Sequence, residues 1–262
     1  MNIISQSMTN LVCRQYTQQT YLENDYSTLP RPHYSFAYVL EGRLEALNET
    51  VTITARPGDI LFIPYQEEYR LRWICNPRSS CISCHFNFPS FVEPFGNKVF
   101  TLQKLTGFEH KRSEFEYLRD NIKNEQQAMG VLGAFYCLCN ELYPHLEVSK
   151  EVHLDDRIQC AVDYININFR TSFSVEEIAG LAHLGVSRFH ECFKQETGMT
   201  VIEYKNSVAV KHAALLLLDG DRKSIEEISS ECGFHSAEYF RRVFRTHTGK
   251  SPKEYRKDWG IN

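Results

Sequence analysis

Three arginines, Arg241, Arg242 and Arg245, crowd one short stretch around Phe240 and Phe244. Two phenylalanines four residues apart share one face of a helix, so that face is buried and the arginines point outward. Guanidinium groups set along such a face suit phosphate oxygens, and their forked geometry suits the base edge of guanine. Ala237 and Glu238 belong to the same outward surface. An earlier stretch repeats the arrangement: Phe189 and Phe193 face inward, while Ser187, Arg188, His190, Glu191 and Lys194 face outward. A carboxylate at 191 repels phosphate but accepts a hydrogen bond from the N4 amine of cytosine. These ten outward residues are the candidate contacts to duplex DNA.

The remaining reactive types point to no second chemistry. Cys81 and Cys84 with His85 resemble a metal or redox cluster only as text. On a strand successive side chains alternate faces, so Ile82, Cys84, Phe86 and Phe88 lie opposite Cys81, Ser83, His85 and Asn87. Cys137 and Cys139 on a helix diverge by ~200°. Nine cysteines, an odd number spread through the chain, suit free thiols in a reducing cytoplasm. No nucleophile–base set, phosphate-cradling glycine loop or pair of catalytic carboxylates stands out. The expectation is no enzyme, no cofactor and no metal. Met1 to Ser7 lacks the basic and apolar parts of a signal peptide, and no run of 18 apolar residues spans a membrane. A cytoplasmic protein without membrane contact is expected.

The elements that position the outward residues come from a repeat. Ser174-Val175-Glu176-Glu177-Ile178 recurs as Ser224-Ile225-Glu226-Glu227-Ile228, and Thr197-Gly198 recurs as Thr248-Gly249. The opening serines are 50 apart and the later landmarks 51 apart, so one residue has been added in the second turn. Each Ser-x-x-Glu is a capping box that starts a helix. Gly185 and Gly233-Phe234 mark the turns that follow, giving two helix-turn-helix units, 174–198 and 224–249. Val201 to Leu218 reads as one continuous helix between them, ~27 Å long at ~1.5 Å per residue. Adjacent major grooves on one face of DNA are ~34 Å apart, a span such a spacer can bridge.

The charge agrees only in part. The chain carries −4, with −5 on residues 1–156 and +1 on residues 157–262. A near-neutral domain can still bind DNA if its groove-facing side is positive.

Before residue 112 the text is strand-like. Tyr34 to Leu40 ends at the Glu41-Gly42 turn, Val51 to Thr54 alternates, and Ile60 to Ile63 sits between Pro57-Gly58-Asp59 and Pro64. Tyr69 to Ile74 and Ile82 to Phe88 follow. Short strands with glycine and proline turns point to an antiparallel barrel or jelly roll. Glu41-Gly42 followed by Pro57 to Pro64 is similar to the small cupin-type sensor barrel of bacterial regulators. Metal-binding cupins carry His in two motifs, and here Tyr69 stands near the second while His33 is alone.

Residues 112–145 switch to helical spacing through Phe115, Leu118, Ile122, Met129, Leu132, Phe135, Tyr136, Cys139 and Leu142. Such a stripe packs on the barrel or on a second copy of the chain. From Val148 to Asp156 the chain turns polar, as an interdomain boundary would.

The segment from Ile158 to Lys257 resembles the DNA-binding domain of the AraC/XylS family of transcription regulators. Phe193 to Gly198, Ile228 to Phe234, Tyr239 to Arg245 and Thr248 to Arg256 carry the likeness. It departs at Gly185, where the family has Ser, at Glu191, where it often has Arg, and at Ala209, where Arg is common. The resemblance implies a regulator with operator DNA, a small-molecule effector and RNA polymerase as partners, working as a homodimer.

The expected fold class is a multi-domain chain: an all-β cupin-like barrel with a helical dimerisation segment, then an all-α tandem helix-turn-helix domain. The expected boundaries are 1–110 for an effector-sensing barrel, 111–147 for a helical linker and dimerisation segment, and 157–262 for the DNA-binding domain. Tyr38, Glu41, Ile82, Cys84 and Phe86 are the candidate effector contacts, for a sugar or another small polar metabolite. The competing readings are a cupin metalloenzyme with a DNA-binding tail and a zinc-dependent methyl acceptor in DNA repair. Both need a ligand cluster that the sequence does not supply.

Overall fold

The computed structural model describes residues 10–27, 30–87, 98–151, 154–218 and 223–258. The chain divides into two compact units, one built from residues 11–86 and 99–150 and the other containing residues 151 onward.

The first unit is β-rich. Its strands are β1 Asn10–Gln18, β2 Leu22–Asp25, β3 Tyr34–Glu41, β4 Arg43–Leu47, β5 Thr52–Ala55, β6 Ile60–Ile63, β7 Arg70–Ile74, β8 Ser79–Asn87, β9 Lys98–Phe100, β10 Gln103–Leu105 and β11 Val148–Glu151. One sheet runs β1-β8-β3-β6-β10 and another β2-β7-β4-β5, while β11 pairs with β9. The polar stretch that reads as a linker therefore begins with a strand. Phe88, counted in the sequence with β8, lies outside the described residues.

Both large sheets contribute to one core. Ala37 and Val39 of β3, Leu61 and Ile63 of β6 and Cys81 of β8 meet Leu44, Ala46, Leu71 and Trp73 from the other sheet. Side chains alternate along a strand, so Phe36, Tyr38, Phe62, Cys84 and Phe86 lie on the opposite face. That second face is covered by a helical hairpin, α1 Arg112–Asn121 and α2 Ala128–Leu142. Phe86 meets the Phe135 ring edge-on at 5.1 Å, and Tyr38 lies 5.3 Å from Phe115.

Of the stripe expected over 112–145, Phe115, Leu118, Phe135, Cys139 and Leu142 are buried, and Met129 alone is corrected to the exposed face. Val131, Phe135, Leu138, Cys139 and Leu142 are buried, whereas Met129 is 64% exposed. A single turn at Glu125–Gln127 breaks the helix and resets its phase, so one period cannot run through both halves. Met129, Gly133 and Cys137 are left on the outer face of α2.

The second unit is helical: α3 Asp156–Asn168, α4 Val175–Leu181, α5 Val186–Thr197, α6 Val201–Leu218, α7 Ile225–Glu231, α8 Ala237–Thr248 and α9 Pro252–Asp258. Helix α6 is buried on most sides, at Val201, Ser207, Ala209, Val210, His212 to Leu215, Leu217 and Leu218. A helix apolar nearly all round must be central, and α6 has packed elements on both flanks. No helix among the described residues is long and apolar enough to cross a membrane.

Candidate functional site

Two helix-turn-helix units are built by the same local devices. Ser174 accepts from the backbone N–H of Glu177 at 3.1 Å, and Glu177 reaches back to the Ser174 N–H at 2.7 Å. Ser224 and Glu227 do the same at 3.1 and 2.6 Å. Each box satisfies two of the four N–H groups that a helix start leaves open. The second helices, α5 and α8, end at Gly198 and Gly249 in the left-handed conformation. They begin differently. Ser236 caps α8 by accepting from the Tyr239 N–H at 3.1 Å, while Gly185 gives α5 no side-chain bond.

One buried face anchors each second helix. Phe189 and Phe193 are 5.5 Å apart, as are Phe240 and Phe244, and all four are fully buried. Tyr204 meets Phe193 edge-on at 5.7 Å, and Tyr255 meets Phe244 at 5.4 Å. With these faces held, the opposite faces are free for a partner. Ser187, Arg188, His190, Glu191 and Lys194 are exposed on α5. On α8 Glu238, Arg241, Arg242 and Arg245 are exposed and Ala237 is half-buried.

Several of these charges are already engaged. Arg188 donates to Glu191 at 3.2 Å. Arg241 pairs with Glu226 of α7 and, at 3.9 Å, with Glu238. Exposed pairs of this kind are worth ~0–1 kcal/mol, so phosphate can displace them at little cost. Arg242 sits 5.2 Å over the Tyr239 ring, whose hydroxyl accepts from Asn206 of α6 at 3.0 Å. That contact ties the orientation of one exposed cation of α8 to the central helix.

Of the expected effector contacts in the β unit, Tyr38, Ile82, Cys84 and Phe86 share the helix-covered face of one sheet and Glu41 lies apart from them. Tyr38 donates to the Glu109 carbonyl at 3.0 Å, and Phe86 stacks on Tyr34 and Phe36 beneath Phe135. Cys84 meets Cys13 at 3.2 Å, and burial lifts its thiol well above the usual range. Ile82 is fully buried on the same face. These four residues are structural cement between sheet and helices, and they do not line the space between the sheets. Glu41 is on the surface, ion-paired with Arg78, which holds its carboxyl below the usual carboxylate range.

The face between the sheets holds the polar cluster that the sequence reading missed. His85 bonds Ser35 Oγ through Nδ1 at 2.6 Å and Tyr16 through Nε2 at 3.1 Å. A neutral imidazole offers one donor and one acceptor, so one hydroxyl donates to it and the other accepts. His33 lies 4.8 Å away, edge to face. Burial holds both imidazoles neutral, pushing His33 down to about 3 and His85 well below its ordinary value. The Arg31 guanidinium lies 3.9 Å over Tyr26, which stacks on Tyr69 at 5.1 Å. The available signal was a run of polar residues, Ser35, Ser83 and His85, in phase on two paired strands. Among the described residues no three His, Cys, Asp or Glu side chains are grouped to hold a metal ion.

Residues 178–258 match the family described as a helix-turn-helix domain. The arabinose operon regulatory protein of Escherichia coli K12 is 28% identical over 245 residues, 85% of this chain and 80% of the relative. The C-terminal region carries an AraC-type helix-turn-helix domain, and the chain as a whole is similar to AraC-type regulators. The Msm operon regulatory protein of Streptococcus mutans is 23% identical over 250 residues, 87% of this chain and 85% of that protein. The activator RhaR of Escherichia coli K12 is 35% identical over 89 residues, 34% of this chain and 31% of its own length. A solved structure of ToxT from Vibrio cholerae covers 94% of this chain and 98% of its own, with TM-score 0.57 and 14% identity. That likeness shows the two-part fold: a β-rich region followed by a helical one. These relatives are regulators by name, and they lend no support to the metalloenzyme reading.

Proposed function

We propose that this regulator grips operator DNA with α5 and α8 in two adjacent major grooves. Ser187, Arg188, His190, Glu191 and Lys194 are the contacts on one helix, and Ala237, Glu238, Arg241, Arg242 and Arg245 those on the other. The observation that carries the reading is the duplication itself. Two helices have the same caps and the same Phe–Phe anchor, and both turn a polar face to solvent. The more cationic α8 supplies the general grip, and α5, with Glu191, reads the more particular sequence.

The β unit is the effector sensor, a cupin-like barrel. Its ligand is a small polar molecule, with a sugar the leading class because relatives are named for the arabinose and lactose operons. Arg31, His85, Tyr16 and Tyr69 between the sheets are better candidates than the residues on the helix-covered face. They combine buried hydrogen-bonding groups with aromatic surface, the mixture that small-ligand pockets use. Two copies associate through the exposed face of α2 around Met129, Gly133 and Cys137, and RNA polymerase is the downstream partner.

Selection from a random duplex library with the full chain tests the DNA reading. Recovery of a motif with two half-sites about one helical turn apart is the expected result. Enrichment of no sequence over non-specific binding would overturn it. Melting shifts with arabinose, rhamnose and lactose, compared between wild type and Arg31→Met, test the sensor.

A further inference from the structure

The two helix-turn-helix units meet at a point that neither recognition surface uses. After α3 the chain runs through Phe169, Arg170, Thr171 and Phe173 before α4 begins. This strap lies along α6 and is pinned to it twice. Lys205 donates to the Thr171 carbonyl at 2.7 Å and lies 4.5 Å over the Phe173 ring. Arg170 Nη2 lies 2.7 Å from His212 Nε2. Lys205 and His212 are seven residues apart, two turns along one face of α6.

The second unit rests on the same strap. Gly233, in the turn between α7 and α8, has φ +77°, and a Cβ there would fall 2.6 Å from both Cα and O of Arg170. The internal repeat provides a control. The equivalent position of the first turn is His183, also left-handed at φ 52°, and it is exposed. A side chain is therefore tolerated in this turn where nothing abuts it. The second turn carries glycine where the backbone of the strap does.

The chemistry of the pin is directional. A guanidinium only donates, so Nε2 of His212 must accept and its imidazole is neutral. Arg170 also lies 4.9 Å over Phe169, whose ring is 5.4 Å from His212. Stability alone gives no reason for two basic side chains at a buried junction, since apolar residues of similar volume pack as well or better. A hydrogen bond with one lone pair as its target fixes an angle, which an apolar contact does not.

We infer that Arg170, with His212 and Gly233, forms a joint that locks the second helix-turn-helix against the first and so sets the half-site spacing the pair accepts. The inference rests on the DNA-binding reading above and assigns positioning roles only. Inserting one base pair between half-sites moves the second by ~3.4 Å and turns it by ~35°. A locked pair cannot follow that displacement, and a pair pivoting on α6 alone can.

The test uses the full chain and a duplex selected by the wild type, with versions one base pair longer and shorter between half-sites. Wild type should lose at least about tenfold in affinity on either change. Arg170→Met and His212→Leu should bind the matched duplex more weakly and discriminate less than about threefold. His212→Gln retains an acceptor and should restore most of the discrimination. A general loss of stability would weaken binding to all three duplexes alike, so the ratio separates positioning from folding. If Arg170→Met does not fold, the comparison of His212→Leu with His212→Gln decides. A wild type that tolerates the inserted base pair, or a folded His212→Leu with undiminished discrimination, would overturn the joint. Failure to select any duplex would instead overturn the DNA-binding reading.

Discussion

Replacing Arg242 by alanine separates contact with DNA from support of the fold. Arg242 is exposed on α8, and its structural contact is the face of Tyr239 at 5.2 Å. A cation–π contact at an exposed site contributes about 0.5–1 kcal/mol, which bounds the expected loss of stability. Neighbouring Arg241 differs, because Glu226 and Glu238 already hold it, so its removal leaves two carboxylates facing the DNA. If Arg242 binds a base edge, Arg242→Ala should cost about 1–3 kcal/mol, roughly 5- to 150-fold in affinity, against one sequence only. If it binds phosphate, the loss is similar on every sequence, and the slope of log affinity against log salt falls by about one. Anisotropy titrations of the full chain at three salt concentrations, on matched and scrambled duplexes, distinguish the two. Circular dichroism melts run alongside confirm that the variant is folded. A folded Arg242→Ala with wild-type affinity and wild-type salt slope would refute the assignment of α8 as a recognition helix.

Two further outcomes follow from the same structure. Ser174→Ala and Ser224→Ala should each lower the stability of the helical unit by about 1 kcal/mol, since each strands a helix-start N–H, and chemical denaturation measures it. Equal stability to wild type would mean that water replaces the caps. Acidification should destabilise the protein well above the carboxylate range. His33 and His212 have folded values near 3, and His85 is also held well down by burial, while an unfolded imidazole binds its proton near 6.5. Between those values the unfolded chain holds more protons, so stability falls as pH falls from ~6.5, by up to ~1.4 kcal/mol per pH unit per imidazole. Both units hold such groups, His33 and His85 in the β unit and His212 with the less deeply buried His247 in the helical one, so both should lose stability in melts between pH 7 and 5. A flat profile there would show that these imidazoles are not held neutral.

The helical half was legible because its signals are local. A capping box is written within four residues, a Phe–Phe anchor within five, and the left-handed glycine follows directly. The duplication gave each signal a second witness, and the structure shows both boxes, both anchors and both glycine caps. Turn lengths and the continuous helix from Val201 to Leu218 were equally readable, since they depend on runs of residues and not on distant partners.

The β half was legible only as strands. Residues Ser79 to Phe86 of β8 are buried on both faces, so alternation that normally separates core from solvent is absent. Nothing within β8 says whether Cys84 or His85 looks toward the second sheet. The helical hairpin decides it by covering Tyr38, Cys84 and Phe86, which leaves His85 on the side of the second sheet. Strands β1 and β2 carry no clear local signal either: Arg14, Gln15 and Gln18 interrupt the apolar pattern of β1, and the pairing of β1 with β8 and of β2 with β7 supplies the order.

What the sequence determined by itself, then, is wherever neighbours in the chain are also partners: helix starts, helix ends, turns and the doubled exposed polar face. Only the tertiary structure decided which face of a doubly buried strand meets polar partners. It alone also brought Arg170 beside His212 and Gly233, 42 residues away in one case and further in the other. Those pairings depend on how sheets and helices close over one another, and no local propensity encodes that closure.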